Sequence, residues 1–126
     1  MTSIVYDTGA LLAAERRDFR FVRMHRNRTT SQVPLFVPVV VLAQAWRDGK
    51  QHGLIEVLKD CEITPDTERI GRAAGEACAR SGTSDVVDAI VVVTALAHGS
   101  AVVSSDPSDL RKIAAALGKK LDILVV

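Results

Sequence analysis

The chain has 126 residues, of which 48% are hydrophobic and 4% aromatic, and its formal net charge is +1. This length and apolar content predict one domain over residues 1–126 with a sizeable core, and the small charge excludes nucleic-acid binding through the whole surface. Two cysteines without a metal-ligand spacing argue against a zinc site or a disulfide framework. Without a signal-peptide pattern or a bilayer-length apolar run, we expect a soluble cytoplasmic protein with no membrane contact.

Predicted strands alternate with predicted helices in the first half of the chain. Pro38 fits the first turn of a helix, because proline lacks the amide hydrogen that this turn leaves unpaired. The expected strands cover residues 3–6, 33–37 and 61–64. Four helices are expected between and beside them: one that starts at Thr8, one within 16–28, one from about Val39 to Arg47, and one over 54–61.

The second half contains an ambiguous valine-rich segment, 84–98. Valine favours strands, but the length of about fifteen residues and the following Gly99 favour a buried helix. Other expected elements are helices over 66–82 and 107–117 and strands over 101–104 and 121–125. The resulting order, β-α-α-β-α-α-β-α-α-β-α-β, predicts an α/β fold with a central, mostly parallel sheet of about five strands and helices on both faces.

Acidic residues follow two of the apolar runs. Asp7 comes directly after Ile4-Val5-Tyr6, and Asp106 ends the run that starts at Ala101. If these runs are neighbouring parallel strands, both side chains project from the sheet edge where such folds bind ligands. Asp85 and Asp88 are three residues apart, so they share a helix face. Gathered carboxylates repel each other unless a divalent cation lies between them.

Each of these residues also has a simpler interpretation. Asp7 and Asp85 can cap the helices that follow them, and Asp106 before Pro107 is a typical N-cap. Asp109 would then interact favourably with the helix dipole. Considered together, however, the carboxylates favour a site for magnesium or manganese, which can activate water and neutralise charge at a phosphodiester.

The same residues resemble a known family, the PIN-domain ribonucleases, and especially the VapC-type toxins of bacterial toxin–antitoxin pairs. The matching segments extend over nearly the whole chain, in family order and at family-like spacing. They are Val5–Thr8, Val37–Gln44, Asp88–Gly99 and Val102–Leu110.

The resemblance implies an endonuclease that depends on Mg²⁺ or Mn²⁺ and acts on single-stranded parts of RNA. It also implies a cognate antitoxin as partner and a homodimer. By position, Asp7, Asp88 and Asp106 would form the catalytic, metal-holding core, with Asp85 and Asp109 as accessory carboxylates and with Thr8 and Ser104 or Ser105 as nearby hydroxyls.

One position departs from the family pattern, because Gln44 stands where the family usually has glutamate. Glutamine is neutral and cannot act as a general base, so metal binding should weaken. Asp48, one turn further along the predicted helix, either compensates from the same face or is an ordinary surface charge. The alternative function is therefore a catalytically weakened or inactive module that binds RNA or an antitoxin-like partner.

Six arginines fall within residues 16–28. Arg16, Arg20 and Arg23 are expected on one helical face, where they form a phosphate-contacting patch, a docking site for an acidic partner segment, or a solvated surface. The three histidines have no metal-ligand spacing, and Phe36 and Trp46 are expected to pack in the core or an interface. His25, His52 and His98 are expected at the surface or at helix ends.

Overall fold

The structure is a computed structural model that describes residues 2–126. Its five short strands all pair in parallel, in the order β3-β2-β1-β4-β5. The strands are β1 (Ile4–Tyr6), β2 (Leu35–Pro38), β3 (Glu62–Thr64), β4 (Ala101–Ser104) and β5 (Ile123–Val125).

The central strand β1 pairs with β2 on one side and with β4 on the other. Val5 is opposite Phe36 in β2 and opposite Val102 in β4. The chain first adds strands outward from β1 to β3 and then returns to the other side of β1. The direction in which strands are added therefore reverses between β1 and β4, and a crevice at the carboxyl ends of these two strands is expected there.

In the part of the chain that the structure describes, seven helices flank the sheet in two groups, with α1 packed on α2, α3 and α4, and α6 packed on α5 and α7. This arrangement confirms the predicted α/β fold and the predicted order of elements. The helices are α1 (Thr8–Glu15), α2 (Phe19–Thr30), α3 (Val39–Ala45), α4 (His52–Leu58), α5 (Glu68–Ser81), α6 (Val86–His98) and α7 (Ser108–Ala116).

The valine-rich segment is a helix, α6, as its length predicted. All seven residues from 89 to 95 are buried, because α6 contacts α5, α7 and the central strands. A helix surrounded by protein needs no polar face, so the strand propensity of valine does not decide its structure. Within residues 2–126, no helix has the length and apolar composition needed to cross a bilayer.

Several predicted boundaries were wrong. Helix α3 starts at Val39 as expected, with Pro38 at its N-cap position, but Pro38 is also the last residue of β2, and β2 starts at Leu35 instead of residue 33. Helix α3 ends at Ala45, before the expected Arg47, because Trp46 adopts an extended conformation with ψ of 136°. Strands β3 and β5 are also shorter at their starts than expected, at 62–64 and 123–125.

Helices α1 and α4 approach each other closely at Gly53. A Cβ atom there would lie 2.5 Å from the Ala14 carbonyl oxygen and 2.7 Å from that of Glu15. The Glu15 carboxylate also accepts a hydrogen bond from the Leu54 amide at 3.1 Å. Because Gln51 makes no side-chain cap, this bond from α1 satisfies a free amide in the first turn of α4.

Candidate functional site at the carboxyl edge of the sheet

Two predicted site residues lie at the carboxyl ends of β1 and β4, where the strand order reverses. Asp7 directly follows β1, and Asp106 lies two residues after β4. The strands are in register at Tyr6 and Val103, and the Asp7 amide donates to the Val103 carbonyl at 3.2 Å. Both aspartates therefore emerge at the same edge, as the sequence predicted.

Asp7 is 8% exposed and is both a helix cap and a member of this site. Its carboxylate accepts the Ala10 amide at 2.9 Å, which caps α1. Burial raises the pKa of Asp7 above its ordinary value, while the Ser104 hydroxyl and the α1 amides oppose this by favouring the ionised form. The negative charge of Asp106 raises the pKa further. The capping and site interpretations are thus compatible.

Asp88 lies in the first turn of α6, next to several other carboxylates. Asp85 caps this helix by accepting the Asp88 amide at 3.1 Å. Burial, together with the charges of Asp85, Asp109 and Asp7, raises the pKa of Asp88 to about 7. The fold thus places Asp85, Asp109 and Asp7 near enough to act on the charge of Asp88, and Asp106 near enough to act on that of Asp7. We call the group Asp7, Asp85, Asp88, Asp106 and Asp109 the acidic site.

The turn between β4 and α7 holds Asp106 through hydroxyl groups. The Asp106 amide donates to Ser104 Oγ at 3.0 Å, and the Ser108 hydroxyl donates to the Asp106 carboxylate at 3.1 Å. Helix α7 starts at Ser108, and the residue at its N-cap position is Pro107, without a side-chain cap bond. The interpretation of Asp106 as the N-cap was therefore wrong, because its exposed carboxylate accepts no hydrogen bond from a first-turn amide of α7.

Gln44 adjoins the site through Thr8, whose hydroxyl donates a hydrogen bond to Gln44 Oε1. Asp48 does not share its helix, because α3 ends at Ala45. Instead, the exposed Asp48 carboxylate accepts the Lys50 amide at 2.8 Å. Asp48 is therefore a surface turn residue. The alternative in which it compensates for Gln44 from the same helix face was wrong.

The arginine cluster is divided between two helices. Arg16 lies at the C-terminal cap of α1, whereas Arg20 and Arg23 are exposed residues of α2. The expectation that all three share one helical face was wrong, because residues 16–18 form the turn between the helices. Arg20 and Arg23 line one groove with Asn27 and Arg28.

His25 was predicted at the surface but is buried between two polar partners. Its Nδ1 is 2.7 Å from the Tyr6 hydroxyl, and its Nε2 is 2.8 Å from Asp60 Oδ2. The ring also stacks on Phe21 at a centroid distance of 5.8 Å. The spacing of four residues between Phe21 and His25 was the available signal that both share the inner face of a helix.

The other residues singled out by type are closer to expectation. His52 and His98 are exposed and lie at helix ends. Phe36 is half-buried and stacks on His98 at 4.6 Å. Trp46 is 37% exposed and lines an apolar groove of about 440 Å³ with Val39, Leu42, Ala43, Leu58 and Ile63.

The chemistry of the acidic site fits a hard divalent cation. Carboxylate oxygens suit Mg²⁺ and Mn²⁺. Burial and neighbouring carboxylates raise the pKa of Asp7 and of Asp88, and a bound cation would oppose this by favouring the ionised forms. Within residues 2–126, no three Asp, Glu, His or Cys side chains lie close enough to enclose an ion directly. Mg²⁺ does not require such an enclosure, since it commonly binds one or two carboxylates, substrate phosphate oxygens and its own waters.

Comparison with known proteins assigns the family. The family model for the PIN domain matches residues 4–116, and the chain belongs to this family. PIN domains are generally nucleases. No curated protein matches the chain in sequence.

Solved structures with low sequence identity share the fold. VapBC2 from Rickettsia felis, crystallised with a DNA fragment from its promoter, is 13% identical, with a TM-score of 0.74 and coverage of 99% of both chains. FitAcB from Neisseria gonorrhoeae is 14% identical, with a TM-score of 0.66 and 96% coverage of both chains. PAE2754 from Pyrobaculum aerophilum is 16% identical, with a TM-score of 0.64 and coverage of 97% of this chain and 83% of its own.

Proposed function

We propose that this chain is a metal-dependent endoribonuclease that hydrolyses phosphodiester bonds in single-stranded regions of RNA. The observation that carries the proposal is uncompensated charge at the acidic site. Five carboxylates gather there, and across residues 2–126 none of them pairs with a lysine, arginine or histidine. Membership of the PIN domain family supports the same conclusion, since that family consists generally of nucleases.

Asp7, Asp88 and Asp106 would hold the cation partly through its bound waters, with Asp85 and Asp109 adding negative charge around it. When bound, Mg²⁺ or Mn²⁺ lowers the pKa of water and neutralises charge on the phosphodiester. Ser104 favours the ionised form of Asp7 and also holds the Asp106 backbone, so one hydroxyl orients both sides of the site. No residue in this arrangement needs to form a covalent bond to RNA.

RNA cleavage by matched variants tests the proposal. Cleavage of a single-stranded RNA with Mg²⁺ or Mn²⁺ is expected from the native chain and should be lost in Asp7→Asn and Asp106→Asn. Asp122→Asn is the control, because Asp122 is an exposed carboxylate at the opposite edge of the sheet, just before β5. Equal cleavage by all four proteins would exclude the acidic site as the catalyst.

A second candidate is a PIN-fold module that binds RNA or a protein partner and cuts slowly or not at all. The observation that favours it is Gln44, whose neutral side chain accepts a hydrogen bond from Thr8 where a glutamate would add charge. Metal-independent RNA or partner binding, with no cleavage under any divalent ion, would support this candidate and contradict the first.

The proposed partners are a cognate antitoxin and a second copy of this chain. The antitoxin proposal is based on the resemblance to VapC-type toxins and on the fold shared with VapBC2.

For the second copy, we propose the apolar groove as the contact surface, because Val39, Trp46 and Ile63 are each more than a third exposed within it. Sedimentation analysis of the native chain and Trp46→Glu tests this, with dimer expected only for the native chain. A cytoplasmic location belongs to the same proposal.

A further inference from the structure

A groove of about 320 Å³ along α2 carries three of the six clustered arginines. We call it the arginine groove. It is lined by Phe19, Arg20, Arg23, Met24, Asn27 and Arg28. Arg20 and Arg28 are eight residues apart, so these side chains extend over about 12 Å of the helix axis.

The positive charge in this groove is not neutralised by the protein. Within residues 2–126, Arg20, Arg23 and Arg28 form no ion pair, whereas Arg17 pairs with Glu56 at 3.9 Å. Since the whole chain has a net charge of only +1, this is a local excess. Arginine has a planar fork of donors that matches the oxygens of a phosphate group.

Phe19 adds an exposed aromatic ring to the same surface. It is the first residue of α2 and is 74% exposed, although large aromatic side chains are usually buried. Phe19 lies on the ridge between the arginine groove and a second groove, which is lined on its α4 side by Glu56 and Asp60. Arg17 and Arg26 also line the second groove, so two arginines and two carboxylates balance there, whereas the arginine groove has three arginines and no carboxylate. Phosphates would therefore favour the arginine groove.

The inner face of α2 packs against β1, the strand that precedes Asp7. Phe21 packs on Tyr6 with a centroid distance of 5.2 Å, and Tyr6 immediately precedes Asp7. His25 adds a hydrogen bond to the Tyr6 hydroxyl at 2.7 Å. The helix that carries the arginines is thus anchored to the strand that carries a proposed catalytic carboxylate.

We propose that the arginine groove binds single-stranded RNA, with Arg20, Arg23 and Arg28 on successive phosphates and a base stacked on Phe19. This inference rests on the proposed RNA substrate and assigns the surface that binds it. Unpaired arginine forks together with an exposed aromatic ring are the combination that single strands require, because backbone charge and base stacking both contribute to their affinity. An acidic protein segment would use the arginines but gain little from the ring.

Fluorescence anisotropy with a labelled oligouridine tests the groove separately from catalysis. The measurements use Asp7→Asn in EDTA, so that the RNA stays intact, with and without the double change Arg20→Ala/Arg23→Ala. The matched control is Arg69→Ala/Arg72→Ala, which removes the same charge from exposed residues of α5. Circular dichroism melts establish that each protein is folded.

The RNA affinity of the groove variant should be lower than that of the control by about tenfold or more. Its slope of log K against log salt concentration should be smaller by about 1.4, at about 0.7 for each of the two lost phosphate contacts. Phe19→Ala should weaken binding roughly tenfold, because one stacked base is lost, and Val86→Ala, at an exposed apolar position, should not. Equal effects of both arginine pairs would overturn the inference. So would unchanged RNA binding combined with lost binding of oligoglutamate, which would assign the groove to an acidic protein segment.

The outcomes separate this inference from the proposed function. RNA binding through the groove without cleavage by the native chain contradicts the nuclease proposal and leaves the groove assignment intact. Metal-dependent cleavage that Arg20→Ala/Arg23→Ala does not slow at low RNA concentration contradicts the groove assignment alone.

Discussion

Neutralising Asp88 should stabilise the metal-free protein at neutral and alkaline pH. Burial and the charges of Asp85, Asp109 and Asp7 raise the pKa of Asp88 from 3.8 to about 7 in the folded chain. Between these two pKa values the folded chain retains a proton that the unfolded chain has lost. The free energy of unfolding therefore decreases as pH rises through this range, and the full penalty is present above a pH of about 7.

The size of the effect follows from the shift in pKa. One unit corresponds to about 1.4 kcal/mol, so the full shift sets a ceiling of about 4 kcal/mol. Asp88 is half-buried, and solvent and salt screen its neighbours, which reduces the expected penalty to about 1–2 kcal/mol. A negative charge in the first turn of α6 is favoured by about 0.3–1 kcal/mol, which Asp88→Asn loses. The net gain for the variant is then roughly 1 kcal/mol.

Thermal unfolding in EDTA, at about pH 3 and about pH 8, measures this effect, because the penalty is absent only below the unfolded pKa of 3.8. Asp88→Asn should melt about 4 °C above the native chain at the higher pH, and the two should converge at the lower pH. Asp122→Asn should follow the native profile. Saturating Mg²⁺ should then stabilise the native chain, by about 2.7 kcal/mol at a hundred times the dissociation constant, and Asp88→Asn less. Parallel melting profiles for native and Asp88→Asn would refute the crowding of carboxylates around this residue.

Three further predictions concern stability and metal affinity. Gly53→Ala should destabilise the fold by about 1–3 kcal/mol in urea melts, because its Cβ would meet backbone oxygens of α1. The control Gly75→Ala, with open space around the new Cβ, should stabilise α5 by about 0.5–1 kcal/mol. Changes of the same sign in both variants would contradict the close approach of α4 to α1. Gln44→Glu should tighten Mn²⁺ binding roughly tenfold in calorimetry, since it adds a charge beside the acidic site, and an unchanged titration would mean that position 44 does not act on the metal. His25→Ala should cost about 1–3 kcal/mol by leaving the buried Tyr6 hydroxyl unpaired, and Tyr6→Phe should then cost less than it does in the native chain; additive effects in this double-mutant cycle would contradict the hydrogen bond.

The order of elements was predictable because the apolar runs are short and well separated. Runs such as Ile4–Tyr6 and Ala101–Ser104 are too short for helices, and the segments between them are long enough for parallel crossovers. Boundaries were less predictable. The end of α3 depends on the extended conformation of Trp46, and propensity does not encode this choice.

The place of the acidic site was predictable from the sequence, because Asp7 and Asp106 follow the two neighbouring strands between which the strand order reverses. The resemblance alone predicted that Asp109 lies near Asp88, because the packing of α7 against α6 has no local signal in the sequence. His25 was missed for a related reason. Its partner Asp60 is 35 residues away, and their contact depends on how α2 packs against the end of α4.

Anomalous diffraction from crystals grown with MnCl₂ tests most directly whether these aspartates share a cation. We expect a manganese peak within ligand distance of at least one of the Asp7, Asp88 and Asp106 carboxylates, with water completing the coordination. A peak bound elsewhere, or ordered carboxylates without any peak at saturating manganese, would contradict the proposed site.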